Sequence, residues 1–465
     1  MFEQIPRLES GQQLVVYELN EVPWRVIDWY VQRAPGSAIA LLLAGARSFT
    51  TVTQDEGELH PWTTWPTLHR GVTNARHNIR FINQSLKDAE PYPPLSRCAR
   101  PTSEWAYSGA CTPIPRPLAR ATTSMYRKLS RQVSKPVQPG NSAFQRFNLR
   151  QTQRDGALAN VVQVDTKVAS DILGMLRSGL RPSTCARLAA HVARERFNPL
   201  YRSRHSVLQA LVAFDIFQHA LERSNVDFCT FFTNHVAGMM HRYWKHTFPE
   251  DFGARLKSAQ DRFHAGSIAY AMDIASAQIG KLMPYVHARR GRLIVATSMG
   301  QEAIDRGGQV GEWRITDVQQ FLQAIDWHKP ARDMLAMQPD FNFAFNSHAD
   351  AADFLQAASR LVDRQGQSVW KQARCTCDTV NLGLSPSPLA VEAGEAFLNT
   401  DDRQPVRLGL MDMGISLLKR NPGTGYHQPR GVLLLYGAGV DPADARTEVD
   451  STAVRPGILD MFGVT

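Results

Sequence analysis

The sequence predicts an α/β protein: a mostly parallel sheet sandwiched by helices, carrying a helical insertion and a small α+β elaboration. Three observations predict it. Short apolar runs of strand composition recur at residues 14–19, 49–53, 226–232, 292–296 and 432–436, too short for helices and bounded by polar or turn-forming residues. Segments of helical spacing lie between them, the alternation expected when parallel neighbours are joined by crossovers. Each run also follows or leads to a polar position at a strand end or helix start, namely Asn20, Thr64, Asn234, Ser298 and His427. Ligands of open α/β sheets collect at the carboxyl ends of strands, so these five positions are expected to converge at one edge of the sheet.

A chain of 465 residues is long enough for a large core, as two or three domains or as one large α/β domain with insertions. Hydrophobic residues make up 43% and charged residues 20%, and no apolar run reaches the ~18 residues that cross a bilayer. Residues 1–13 contain acids, a proline and no apolar core, so a secretory signal is not expected and the cytoplasm is the expected location. The six cysteines are too few and scattered for a disulfide framework. Cys375 and Cys377 form the one close pair and lack a second pair at zinc-finger spacing, so reduced thiols are expected. Lys and Arg number 52 against 43 Asp and Glu, a formal charge of +9. Arginine pairs with phosphate and carboxylate in two-point fashion, which suits a small anionic ligand. No zinc-finger, RNA-recognition or helix-turn-helix signature accompanies the charge, so nucleic acid is not the expected partner.

In chain order, the first run ends at Asn20-Glu21 and Val22-Pro23-Trp24 opens a helical segment reaching Leu43. Asn20 sits where either an Asx turn or a ligand belongs. The acidic stretch Asp55-Glu56-Gly57-Glu58 then leads into Pro61-Trp62-Thr63-Thr64-Trp65-Pro66-Thr67-Leu68-His69-Arg70. Proline suits the first turn of a helix, so Pro66 is expected to start one. Thr64 then either caps that helix, as Thr63 could, or offers a hydroxyl where a helix N-terminus seats an anion. Prolines at 91, 93, 94, 101, 113, 115 and 117 imply an extended connection, and helical spacing returns at 165–177, 184–194 and 206–221. The run at 226–232 ends in Thr233-Asn234-His235, with His241 further on. Helical spacing at 268–282 precedes the run at 292–296, and further helices are expected at 317–326 and 351–361. The expected division is core 1–84, insertion 85–224, core 225–330, elaboration 331–406 and core 407–465.

Thr64-Trp65-Pro66-Thr67, followed by Arg70-Gly71 and His77-Asn78-Ile79, resembles the nucleophile segment of the alkaline phosphatase superfamily, particularly its phosphodiesterase/nucleotide-pyrophosphatase branch. The resemblance extends to His241-Arg242-Tyr243-Trp244, to Gly425-Tyr426-His427 before Gln428-Pro429-Arg430-Gly431, and to the closing Arg455-Pro456-Gly457-Ile458-Leu459. It implies a metal-dependent hydrolase or transferase acting on a phosphate diester, phosphate monoester or sulfate ester, with Thr64 as nucleophile and Arg70 and His69 binding substrate. Asn20, Asn234, His235, His241 and His427 are the implied metal-ligand positions. The chain departs from the pattern at Asn20, where the superfamily has an aspartate, and at Ser298-Met299, where it has Asp-His. The ligand set that remains implies one divalent cation, zinc, rather than two, or else substitute carboxylates from Glu18, Glu21, Glu56 or Glu58. A catalytically inactive relative that binds an anionic ligand or partner is the alternative.

Overall fold

The computed structural model describes residues 5–82, 84, 86, 89–95, 105–109, 173–224, 226–305, 311–334, 336, 340–384, 394–400, 403–419 and 423–464. Most of the proline-rich connection and of the helix expected at 165–177 lies outside them.

A seven-stranded sheet organises the chain, in the order Ala443–Asp450, Ala46–Val52, Arg430–Gly437, Arg292–Ala296, Leu14–Leu19, Phe228–Thr233, Trp105–Gly109. Arg430–Gly437 runs antiparallel to both neighbours, and every other pairing is parallel. Leu14–Leu19 is buried along its whole length, as a strand covered on both faces must be, which is why its sequence is apolar except at Glu18, where His69 meets the carboxylate. Alternate residues serve different layers. Val15, Tyr17 and Leu19 join the cluster that includes Phe214, Met240, Ile274 and Ile279, whereas Leu14 and Val16 join Trp65, Leu68, Val454 and Ile458. Helices Gln209–Glu222, His235–Thr247 and Ser267–Ala288 thus cover one face, and Pro61–Arg70 with Val454–Met461 covers the other.

The stretch expected as an insertion contributes to this architecture. Trp105–Gly109 pairs with Phe228–Thr233 at the sheet edge, and Gln209–Glu222 buries Ala210, Val212, Phe214 and Phe217 in the main core. The expected helix from Trp24 to Leu43 is divided into Trp24–Arg33 and Ala38–Gly45. Pro35 and Gly36 interrupt it, and Ser37 caps the second piece through Ala40 N–H.

A second hydrophobic core lies between Ile315 and Ile415. Its main sheet has the order Trp370–Thr376, Thr379–Leu384, Asp340–Ala344, Arg332–Met334, all antiparallel. Phe341, Phe343, Val380 and Leu382 face that core with helix His348–Ser359. Among the described residues no helix is long and apolar enough to cross a membrane.

One buried link joins three elements of the main core. Tyr17 Oη donates to Gln278 Oε1 at 2.5 Å, and Gln278 Nε2 donates to the Ala210 carbonyl at 2.9 Å. Tyr17→Phe removes a donor beneath the sheet and leaves that amide oxygen bare, so unfolding free energy in urea is expected to fall by roughly 1–3 kcal/mol. A loss below measurement error would show that the link contributes nothing.

Candidate metal centre at the strand ends

Asn20 and Glu21 leave the first strand fully buried, at 0% and 1% exposure. The Asn20 N–H extends the ladder to the Thr233 carbonyl at 3.0 Å. Its side chain is spent on three partners: Nδ2 donates to Glu21 Oε1 at 2.7 Å and to Asn234 Oδ1 at 2.6 Å, while Oδ1 accepts from Trp65 Nε1 at 2.8 Å. Glu21 then adopts φ 62°, the left-handed region that a non-glycine residue seldom occupies.

Two imidazoles meet Glu21. His241 Nε2 is 2.9 Å and His427 Nε2 3.4 Å from Glu21 Oε2, and the three donor groups offer atoms within 4.8 Å of one another. His241 comes from helix His235–Thr247, and His427 from Gly425–Gln428, which pairs with Gly300–Ala303. Gly425 passes so close to that helix that a Cβ would stand 2.5 Å from the Met240 carbonyl oxygen. This approach brings the Gly425 carbonyl to His241 Nδ1, 2.8 Å away. A carbonyl only accepts, so Nδ1 carries a proton. Nε2 and the carboxylate oxygen then need a second proton or a cation between them: the proton makes an imidazolium that donates to Glu21, and a cation in its place meets the Nε2 lone pair of a neutral imidazole. His427 Nδ1 is buried and has no hydrogen-bond partner among the described residues. Gln301 Nε2 donates to Glu21 Oε2 and orients it. Burial by itself would raise the Glu21 pKa, but His427 and then His241, by charge and hydrogen bonding, hold it well below the usual carboxylate range.

Thr64 lies one helical turn after His60, whose ring meets that of His427. The helix starts at Pro61, with His60 as N-cap, and Pro66 is inside it. This corrects the expected start: Pro61 fills the first-turn position for which Pro66 was a candidate. Neither Thr63 nor Thr64 caps the helix, because its cap residue makes no side-chain cap bond. Thr64 is 0% exposed, and its Oγ1 is 2.7 Å from Ser298 Oγ and 3.3 Å from the His60 carbonyl. The His60 ring stacks on Trp62 at 4.2 Å and meets His427 edge-on at 5.5 Å. Asn20, Thr64, Asn234, Ser298 and His427 therefore lie in one contiguous network at the expected edge.

Three expected site residues point elsewhere. His235 is no ligand, since Nε2 donates to the Ala271 carbonyl at 3.0 Å and Nδ1 meets Thr233 Oγ1 at 2.7 Å. His69 is only 3% exposed, and its Nε2 lies 3.1 Å from Glu18 Oε1, so it serves the interior rather than a substrate. Arg70 is 5% exposed and spends Nη1 on the carbonyls of Ala89 and Tyr92. Asn234 remains at the site as partner of Asn20. The residue that sequence reasoning placed one position off is Glu21: the pattern put the first ligand at Asn20, yet the left-handed turn brings the next side chain to the imidazoles. Glu58 was among the substitute carboxylates, but it binds Tyr426 Oη and Lys371 Nζ instead.

Fold and site together define an α/β protein with a candidate cation site of one carboxylate and two imidazoles at the carboxyl ends of its strands. No family model and no curated protein matches the chain. Among solved structures, it is similar to Thermus thermophilus alkaline phosphatase at 14% identity and TM-score 0.44, covering 99% of this chain and 93% of that one. It is similar to murine ectonucleotide pyrophosphatase/phosphodiesterase 5 at 10% identity and TM-score 0.38, over 98% and 96% of the two chains. Phosphonoacetate hydrolase from Sinorhizobium meliloti 1021, in complex with phosphonoacetate, gives 11% and 0.38, over 99% and 96%.

Buried histidines around the site make stability sensitive to acid. Burial, with Arg70 and Arg80 nearby, pushes His77 down to about 3, and burial pushes His235 down to about 4. Both regain a pKa of about 6.5 on unfolding, so the unfolded chain takes up protons that the folded chain refuses. The stability they confer is complete above pH ~6.5 and is lost as pH falls toward their folded values, by up to about 1.4 kcal/mol per pH unit for each. Urea titrations of metal-free protein from pH 7 to pH 4.5 should show this fall, with a shallower slope in His77→Gln. An unchanged slope in that variant would remove His77 from the account.

Proposed function

We propose that this chain is an alkaline-phosphatase-like, metal-dependent hydrolase or transferase of phosphate or sulfate esters, built around one divalent cation. The observation that carries the proposal is the Glu21–His241–His427 cluster, in which a buried carboxylate is met by two imidazoles, one with its proton fixed on the far nitrogen. These residues fit a cation: two nitrogens and one oxygen form a donor set suited to zinc, and three protein ligands leave a position for substrate or solvent. The unpartnered His427 Nδ1 gives this imidazole a second free nitrogen. When bound, a divalent cation here supplies Lewis-acid stabilisation of charge developing on a substrate oxygen. Gln301 orients the carboxylate, the Gly425 carbonyl fixes the His241 tautomer, and Thr64 offers the hydroxyl oxygen that bonds to phosphorus or sulfur as the P–O or S–O bond to the leaving group breaks, the hydroxyl proton going to the departing oxygen. Ser298 positions that hydroxyl through their mutual hydrogen bond.

A second reading, that the chain is a catalytically inactive relative binding an anionic ligand, is favoured by a specific observation. Thr64 is wholly buried, and Ser298 and Met299, both 0% exposed, stand where a second cation would need ligands. Metal content and turnover together separate the readings. Purified protein equilibrated with zinc should hold one ion per chain, and Glu21→Gln or His427→Ala should lose it. Thr64→Ala should retain the metal and the fold yet lower turnover of p-nitrophenyl phosphate, bis(p-nitrophenyl) phosphate or p-nitrophenyl sulfate by about a thousandfold or more, with Thr64→Ser retaining part. Bound metal without turnover on any of these esters selects the inactive relative. Absence of metal uptake at micromolar zinc would reduce the cluster to an ion pair and end both metal-based readings.

A further inference from the structure

The second unit turns one polar face of its main sheet toward the loop that leads to the candidate centre. Register places Arg374, Asn381 and Asn342 side by side, with Gln372, Gly383 and Asp340 in the next row. Asn342 Nδ2 donates to the Ile82 carbonyl at 2.6 Å, which seats this face on the main core. Asn381 is 0% exposed, donates to Asp340 Oδ2 and Asn342 Oδ1, and leaves its own Oδ1 buried without a partner.

Arg374 is the unspent group on that face. Among the described residues it makes no hydrogen bond or ion pair, although it is half-buried. Burial, then the like charge of Arg80, lowers its pKa, against which Asp340 and Glu58 act more weakly. Its Nη2 reaches 4.0 Å from where a Cβ of Gly57 would stand. Gly57 adjoins Glu58, whose carboxylate binds Tyr426 Oη and Lys371 Nζ. The Tyr426 ring in turn lies 4.5 Å from that of His427 and 6.2 Å from that of His241. The carboxylates nearby are already engaged, Glu58 as described and Asp340 by the Gln372 and Asn381 amides. A half-buried guanidinium near another, Arg80, with no carboxylate in contact among the described residues, is suited to an anion brought by a ligand.

We propose that Arg374 is a specificity-determining residue that binds a second, non-reacting anionic group of the substrate, so that the chain selects esters whose leaving side carries a carboxylate or phosphate. This rests on the phosphate-ester reading of the metal centre, so its test has an arm that needs no turnover.

Zinc-loaded protein is compared on phenyl phosphate and on 3- and 4-carboxyphenyl phosphate, and its binding of the matching phosphonates, which cannot be hydrolysed at the ester, is titrated by calorimetry. Wild-type protein should favour the better-fitting carboxylated compound by about tenfold or more in kcat/KM and in affinity, the scale of a charge-assisted bond. Arg374→Ala should lose that preference and Arg374→Lys should keep part of it, at unchanged zinc content. A purely structural role predicts equal losses on all compounds, and that result, or no preference in the wild type, overturns the proposal. If no ester is turned over but the phosphonate preference exists and depends on Arg374, the hydrolase reading fails and the anion subsite stands.

Discussion

Burying the Glu21 carboxylate is the constraint on which the rest of the site depends. An ionised carboxylate taken out of water without partners costs several kcal/mol even after relaxation, and Glu21 is 1% exposed. Four groups offset that cost: Nδ2 of Asn20, Nε2 of Gln301 and the imidazoles of His241 and His427. They arrive from the end of the first strand, the short Gly300–Ala303 strand, helix His235–Thr247 and the Gly425–Gln428 strand. A charge satisfied from four distant stretches can be satisfied only when the sheet has closed. Fold and site are therefore one cooperative problem here, and the site is formed wherever the main sheet is formed.

The fold was legible because burial writes itself into sequence. A strand covered on both faces is mostly apolar, and Leu14–Leu19, Phe228–Thr233 and Arg292–Ala296 are buried at every position. The site was legible to the level of which strand ends meet, since Asn20, Thr64, Asn234, Ser298 and His427 are linked by contact or by a shared partner. Direction was not legible. Whether Asn20 or Glu21 reaches the imidazoles is decided by a positive φ that neither residue type announces. His235 and His241 share a helix, and only the packing on Ala271 and Gly425 tells which one faces inward. Pro61 and Pro66 both satisfy the proline rule for helix starts, and the choice between them depends on the turn at His60.

The second unit shows how polar residues can hold two bodies together without a shared apolar core. Its sheet gives Phe341, Phe343, Val380 and Leu382 to its own interior and offers amides and a guanidinium to the loops 56–58 and 80–82. Lys371 reaches across to Glu58, and Asn342 to Ile82. The strand alternation that builds one core therefore also places polar side chains beside the 56–58 loop, whose Glu58 accepts from Tyr426. No catalytic pattern in residues 331–406 marks this, because the relevant spacing runs across strands and not along the chain.

Charge balance bears on the proposal of one cation. One carboxylate and two neutral imidazoles would leave a divalent ion with a net charge of about +1, which would complement the anionic ester of the proposed reaction. A second divalent ion would need further anions nearby, and the surrounding carboxylates are engaged. Asp55 accepts from Thr67, Thr53 and the Asn74 N–H, Glu18 pairs with His69, and Glu58 holds Tyr426 and Lys371. The neutral residues in that region are instead satisfied by one another, Asn234 with Asn20, Asn20 with Trp65, and Thr64 with Ser298. Such a network satisfies its members by hydrogen bonds alone and so needs no cation to be stable in the fold. The bonds that hold Thr64 in place are part of it, and the concentration of buried charge is left at Glu21 and its two histidines.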